Sequence, residues 1–337
     1  MEVTLGKYVF IGGVGRSGTS ITREILGKGE EVLAFPFEYR FIIDPDGIVD
    51  FIKSYASAWS PYMADRRIKR LERFLKQLQS KSVLKHFVGE LIRSNAWLKR
   101  KINSDSYHGW ELEKHFPSYE IEVQHLIQNL SELSYRGSWA GAESFDMNHE
   151  IVYGKKFSEE ELYTIFKGFL QRLINGAFEL RKKSVLVEDN TWNLLFCREL
   201  SQLFDDAKFI HIYRDPRDVV ASFCKQRWMP SDVVKSAIIC RDLYINILDQ
   251  TATLSRNQFL SLSLESLVND KENNMNKLLE FSGVRKSNAM VDFKLSASSF
   301  GRWRNQFSDT QISEIKPILK DVTERLGYVW DEWSSGI

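Results

Sequence analysis

Residues 12–20, GGVGRSGTS, have the types and spacing to hold an anion. Gly13 and Gly18 stand in G-x-x-x-x-G spacing, followed by Thr19 and Ser20. Glycines let a backbone approach a ligand closely. Arg16 offers planar, paired donors for phosphate or sulfate oxygens, and Ser17, Thr19 and Ser20 add hydroxyls. A triphosphate-binding loop of this spacing carries Lys where Thr19 stands, and uses the next Ser or Thr to bind Mg²⁺. Thr19 supplies no charge, and Asp189 is the only candidate for a second acidic partner at a strand end. The loop therefore suits a donor with less charge to neutralise than a triphosphate. The bland alternative is a glycine-rich structural turn carrying a surface Arg.

A second motif strengthens the first. Residues 212–223, IYRDPRDVVASF, place Arg214 at the end of an apolar run and Ser222 eight positions on, within the helix that follows. Asp215 and Pro216 set a strand-to-helix turn, with Pro216 at a first helical position. Arg214 and Ser222 can converge on one phosphate beside the first loop.

The elements that must position these residues alternate in type. Apolar runs at 8–13, 184–189, 208–215 and 258–265 predict strands, and YVFIGG ends in the glycines of the anion loop. SITREILGKG reads as a helix whose N-terminus faces the anion. A capping box, Ser158 to Glu161, opens a long helix with Leu162, Phe166, Phe169 and Leu173 on one face. Another, Ser308 to Gln311, opens a C-terminal helix ending at Gly327. The alternation predicts an α/β fold with a parallel central sheet flanked by helices. Residues 53–150 show no core-strand pattern. They carry a basic helical run (64–104) and then an aromatic, His-containing stretch, and read as a mostly helical insertion, a cap, within one domain spanning 1–337.

Together, GRSGTS and YRDPRDVVAS resemble the sulfotransferases that use 3′-phosphoadenosine 5′-phosphosulfate (PAPS), whose core is related to that of the P-loop NTPases. The likeness is to the bacterial, carbohydrate and tyrosylprotein branches rather than the cytosolic small-molecule branch. It runs from residue 8 to about 330, skipping most of 53–150. It implies that Arg16, Ser17, Gly18, Thr19 and Ser20 hold the 5′-phosphosulfate, and that Arg214 and Ser222 hold the 3′-phosphate. The segment 299–307, SFGRWRNQF, is similar to one that closes over the nucleotide, implying contacts from Gly301 and Arg302. In FPFEYRF (35–41), the resemblance implies Glu38 as the base, with Arg40 as an acceptor or structural contact; Arg16 would stabilise the departing phosphate. VEDNTWN (187–193) is similar to a segment ending a central strand. Glu188, Thr191 and Asn193 match it, while Asp189 replaces the usual Lys and Trp192 the usual Pro. Asn190 and Thr191 are expected to orient an acceptor, as are His108 and Trp110 of the insertion. In LSLESLVND, Leu264 replaces a Tyr that often contacts the nucleotide.

The implied reaction moves a sulfuryl group from PAPS to a hydroxyl or amine of a small-molecule or glycan acceptor, leaving adenosine 3′,5′-bisphosphate (PAP), with no metal. A kinase or NTPase using Mg-ATP, and a non-catalytic nucleotide binder of the same fold, are the rival readings. Composition is compatible. At 43% hydrophobic, 27% charged and net charge +1, the chain reads as globular, with no general electrostatic attraction for nucleic acid or membrane. No run approaches the ~20 apolar residues of a membrane span. The N-terminus lacks a signal-peptide pattern, and three cysteines fit neither a disulfide framework nor a zinc site. A cytoplasmic protein is expected. His86, His108, His115, His125 and His149 have no metal-ligand spacing and read as surface or core residues.

Overall fold

The computed structural model describes residues 6–79, 111–141 and 149–330. His86, His108 and Trp110 lie outside the described residues. The chain divides into two compact units, one made of Met1–Glu38 and Lys183–Ile337, the other of Tyr39–Lys182. Seven strands are described: β1 (Lys7–Gly12), β2 (Val32–Ala34), β3 (Ser131–Gly137), β4 (His149–Gly154), β5 (Val185–Asp189), β6 (Lys208–Tyr213) and β7 (Phe259–Ser263).

In the first unit, five strands form one sheet in the order β2-β5-β1-β6-β7. Every pairing in it is parallel. The four predicted strands all form. β2 was not predicted because three residues are too few to show a period, and its pairing with β5 is what defines it. The apolar runs are continuous because both sheet faces are covered. Alternate residues of β1 go to opposite faces. Val9 and Ile11 join Val187, Ile210, Ile212 and the helix residues Ile25 and Leu26 in one buried cluster. On the other face, the rings of Tyr8 and Phe10 lie 5.0 Å from that of Phe204, and Phe10 stacks on Phe209 at 5.8 Å.

The second unit is mainly helical: Ile48–Ser57, Pro61–Gln79, Tyr119–Leu130 and Glu159–Arg181 are its longer helices. The basic run is amphipathic where it is described, with Ile68, Leu71, Leu75 and Leu78 buried. Both expected capping boxes are present, at Ser158–Glu161 and Ser308–Gln311. β3 and β4 form an antiparallel pair that the sequence pattern did not reveal. β3 is almost wholly exposed, so it lacks the apolar alternation that betrays a half-buried strand. The carboxylate of Asp65, itself fully buried, anchors this pair: it accepts from the Val152 N–H (2.9 Å) and from the Trp139 indole (3.0 Å).

Parallel pairing carries the C-terminal ends of β5, β1 and β6 to one edge of the sheet, where ligands of such folds bind. There the chain leaves β1 over the next strand. A Cβ on Gly13 would stand 2.2 Å from the carbonyl oxygen of Ile212. Gly13→Ala must therefore shift backbone, and should cost about 1–3 kcal/mol or more. By contrast, Gly176 lies inside the helix Glu159–Arg181, and its nearest neighbour for a Cβ is Ser118 Oγ at an ordinary 3.7 Å. Gly176→Ala should stabilise by about 0.5–1 kcal/mol. Thermal or urea melts of the two variants check both signs.

Candidate active site

The anion loop spans the end of β1 and the start of the helix Thr19–Leu26. Two residues turn it: Arg16 at φ 73° and Gly18 at φ 100°. A non-glycine residue in that region costs about 1–2 kcal/mol. The strain leaves the Arg16 side chain exposed while Ser17, next to it, is fully buried. Gly18 caps the helix without any side-chain hydrogen bond to its first turn. Backbone N–H groups at such an end are unsatisfied within the helix, and the dipole there favours an anion. Leu264 packs on this loop; a Cβ on Gly18 would meet it at 2.7 Å.

The two motifs meet. Arg16 Nε donates to Ser222 Oγ at 3.2 Å across 206 positions of sequence. Tyr244, in the helix Val233–Thr251, joins them from below. Its fully buried hydroxyl donates to the Arg214 carbonyl (2.8 Å), and it accepts from the Arg214 N–H (3.3 Å) and from Ser17 Oγ (3.3 Å). Burial holds this hydroxyl well above the usual tyrosine range, so it stays a neutral donor and acceptor.

Arg214 is itself buried. Its Nη2 donates to the Ser299 carbonyl and lies 3.3 Å from Asp218 Oδ2. Its Nε, also buried, has no protein partner. Asp218 receives the N–H of Gly301 (2.7 Å) and of Trp303 (3.1 Å), so the 299–303 segment is tied to the helix Pro216–Phe223. Burial raises the Asp218 carboxyl, against the pull of Arg214. The Gly301 N–H is thus occupied by Asp218, while Arg302 is exposed and donates to the Ser298 carbonyl at 3.3 Å.

At the end of β5, Asn193 Nδ2 donates to the Ile11 carbonyl (3.0 Å) and to Glu188 Oε2 (2.5 Å), locking β5 to β1. Asn190 donates its N–H to the same carbonyl (3.2 Å) and accepts from the Trp192 N–H (3.0 Å), while its buried Nδ2 has no protein partner. Thr191 lies beside Gly15, as does the exposed Trp228. Asp189 is buried and lies 2.7 Å from Arg23 Nε. Arg23 also donates to the Phe35 carbonyl at 2.6 Å, which ties the Glu38 segment to the end of β5. Burial lifts the Asp189 carboxyl to about 6; Arg23 and a hydrogen bond from Ser20 oppose the rise, and the Glu38 charge adds to it.

The structure thus gathers Arg16–Ser20, Arg214, Ser222 and the Asp189–Glu38 pair of carboxyls on the first unit. Arg40 opens the helix Arg40–Ile43 of the other unit and pairs with Asp44 at 3.5 Å. Tyr244 and Asp218 were missed by sequence reasoning. A Tyr in mid-helix carries no motif signal, whereas Asp218 sits inside the second motif, four positions after Arg214, and that spacing was the available clue. Among the described residues, no group of three or more His, Cys, Asp or Glu side chains is placed to hold a metal ion, and no helix is long and apolar enough to cross a membrane.

The sequence matches the profile of the Sulfotransferase family over residues 9–288. The chain belongs to the sulfotransferase family. The match takes in both motifs and stops before the 299–303 segment. Comparison with curated proteins gives no match. Among solved structures, the sulfotransferase domain of the Synechococcus PCC 7002 olefin synthase is 15% identical over 96% of each chain, with a TM-score of 0.53. The sulfotransferase domain from the curacin biosynthetic pathway is 14% identical over 95% of this chain and 98% of that one, with a TM-score of 0.47. Sulfotransferase STF9 from Mycobacterium avium is 11% identical, covering 96% of this chain and 78% of its own, with a TM-score of 0.42. At such identities the first likeness speaks for the fold of this sulfotransferase.

The raised Asp189 carboxyl has a consequence for stability. Its folded value, about 6, lies above its ordinary 3.8, so the folded state binds this proton more tightly. The stabilisation is complete below about pH 4 and lost as pH rises through about 6, a swing of about 3 kcal/mol. Asp189→Asn lacks that titration. Its unfolding free energy minus that of wild type should climb by this order between pH 4 and pH 7 in urea melts. A difference that stays flat would place Asp189 at its ordinary value.

Proposed function

We propose that this sulfotransferase uses PAPS to sulfate a hydroxyl or amine of a small-molecule or glycan acceptor. One observation carries the reading. The Arg16–Ser222 contact joins the strand-to-helix loop to the second motif, beside a buried Arg214 whose Nε lacks a partner. A buried donor left unsatisfied costs about 1–3 kcal/mol, so its persistence argues for a ligand oxygen at that point. A nucleotide with anionic groups at both 5′ and 3′ positions fits such a pair of sites. ATP, which lacks the 3′-phosphate, gives Arg214 no such partner, and Thr19 gives its γ-phosphate no Lys.

Bound PAPS supplies an activated sulfuryl group with a phosphate as its leaving group. Arg16, the Ser17 to Ser20 segment and the helix N-terminus hold the 5′ side. Arg16, exposed and cationic, faces the charge that grows as the sulfur–oxygen bond breaks. Arg214 and Ser222 hold the 3′-phosphate, with Gly301 and Arg302 beside it. Glu38 takes the acceptor's proton, with Asp189 within electrostatic reach of it. Asn190 and Thr191 are assigned to the acceptor. Cys197, Cys224 and Cys240 are all free thiols, which suits a reducing, cytoplasmic setting.

Two measurements test the reading. PAP at 100 times its dissociation constant should stabilise the protein by about 2.7 kcal/mol, and Mg-ATP should do far less; stabilisation by Mg-ATP alone overturns it. Glu38→Gln should keep PAP affinity yet slow PAP release from PAPS, over a panel of hydroxyl and amine acceptors, by about 10²–10⁴-fold. Unchanged turnover removes Glu38 from the mechanism.

A further inference from the structure

Arg217 is the bulkiest fully buried side chain described in the molecule, and nothing in the proposed chemistry uses it. Its Nε and Nη2 donate to the Asp215 carboxylate at 2.9 and 2.8 Å. Its Nη1 donates to the carbonyls of Val329 (3.3 Å) and Trp330 (3.1 Å). The guanidinium lies over two indoles, 4.4 Å from the Trp303 ring centre and 5.2 Å from that of Trp330. A second link runs in parallel. Tyr328 donates its hydroxyl to Glu265 Oε2 at 2.6 Å, and Glu265 Oε1 accepts the Asp215 N–H at 3.2 Å. Burial raises the Glu265 carboxyl, and the Tyr328 bond opposes that rise.

Both links end on the turn that aims Arg214. Asp215 is the next residue and the N-cap of the helix bearing Ser222. Trp303 gives its N–H to Asp218, the partner of Arg214. The segment 328–330 therefore reaches Arg214 by two routes, one through Arg217 and Trp303, the other through Glu265 and Asp215. A buried arginine with every direction of its fork engaged is a costly device if packing alone were needed, since an apolar group of similar volume serves as well or better. What it adds is a fixed angle between the C-terminal segment and the Arg214 turn.

We infer that Tyr328 and Trp330, acting through Glu265 and Arg217, form a C-terminal latch that positions Arg214 and so sets selectivity for a nucleotide bearing a 3′-phosphate. Arg217, Tyr328 and Trp330 are positioning residues; none of them touches the nucleotide. The inference rests on the PAPS reading above. It separates from a purely structural role because a loosened latch should weaken the 3′-phosphate contact and spare the 5′ loop.

The test compares adenosine 3′,5′-bisphosphate with adenosine 5′-phosphate by titration calorimetry on the full chain. Wild type should bind the bisphosphate more tightly. Tyr328→Phe keeps the ring and loses one hydroxyl. Arg217→Lys keeps the charge and loses the fork. In each, the ratio of the two affinities should fall by about tenfold or more, equivalent to about 1.4 kcal/mol, while 5′-phosphate affinity changes less than about twofold. If Arg217→Lys does not fold, Tyr328→Phe and Trp330→Phe still decide the matter. An unchanged ratio in the folded variants, whatever their melting temperature, overturns the latch. A wild type that binds the two nucleotides equally overturns the PAPS reading, and the latch with it.

Discussion

The parallel pairing of β1 with β6 is the constraint on which the rest of the site depends. Gly12 stands beside His211 in that register, so the two strands release their chains at the same level of the sheet. Gly13 then crosses the Ile212 carbonyl at a distance that no Cβ permits. This crossing brings the anion loop over the turn at Arg214, and the Tyr244 hydroxyl fastens the two from beneath. The Arg16–Ser222 contact follows from that geometry. Moving either strand by one residue would turn its side chains to the opposite face and separate the loops.

Electrostatically, the site is a set of arginines that differ in how much of their charge is already spent. Arg217 is committed to Asp215, and Arg23 to Asp189. Arg214 is partly committed: one nitrogen faces Asp218, and Nε stays open. Arg16 is exposed and donates to the Ser222 hydroxyl. Buried pairs of this kind contribute little net stability, because desolvation offsets most of the attraction. Their value lies in direction. Asp215 and Asp218 absorb the charge of two arginines at fixed angles, and Arg214 keeps one buried donor, Nε, without a protein partner. The arginines thus form a graded series, from one fully paired to one exposed.

The parts that were legible in the sequence are those where local pattern and tertiary role coincide. β1 and β6 are continuous apolar runs because both faces are covered, and their glycine and proline punctuation marks the turns. The capping boxes at Ser158 and Ser308 work within four residues, so tertiary context cannot hide them. Where a role is created by packing alone, no pattern announced it. β2 exists through its pairing with β5, and β3 is a strand with almost no buried face. Tyr244 and Arg217 read as an ordinary helix aromatic and a second Arg in a charged turn. Their parts depend on Ser17 and on the tail carbonyls, 227 and over 100 positions away.

The departures from the family pattern fall into place by the same logic. At the end of β5, Asp189 stands where the resemblance drawn from the sequence implies Lys. A Lys there would bring positive charge from the strand end toward the anion loop. Asp189 does the opposite, and the Arg23 beside it restores the balance from the helix that follows the loop. Each charge of this pair is met by the other at 2.7 Å. What the exchange adds instead is a carboxyl within electrostatic reach of Glu38, on a segment held to it through the Phe35 carbonyl.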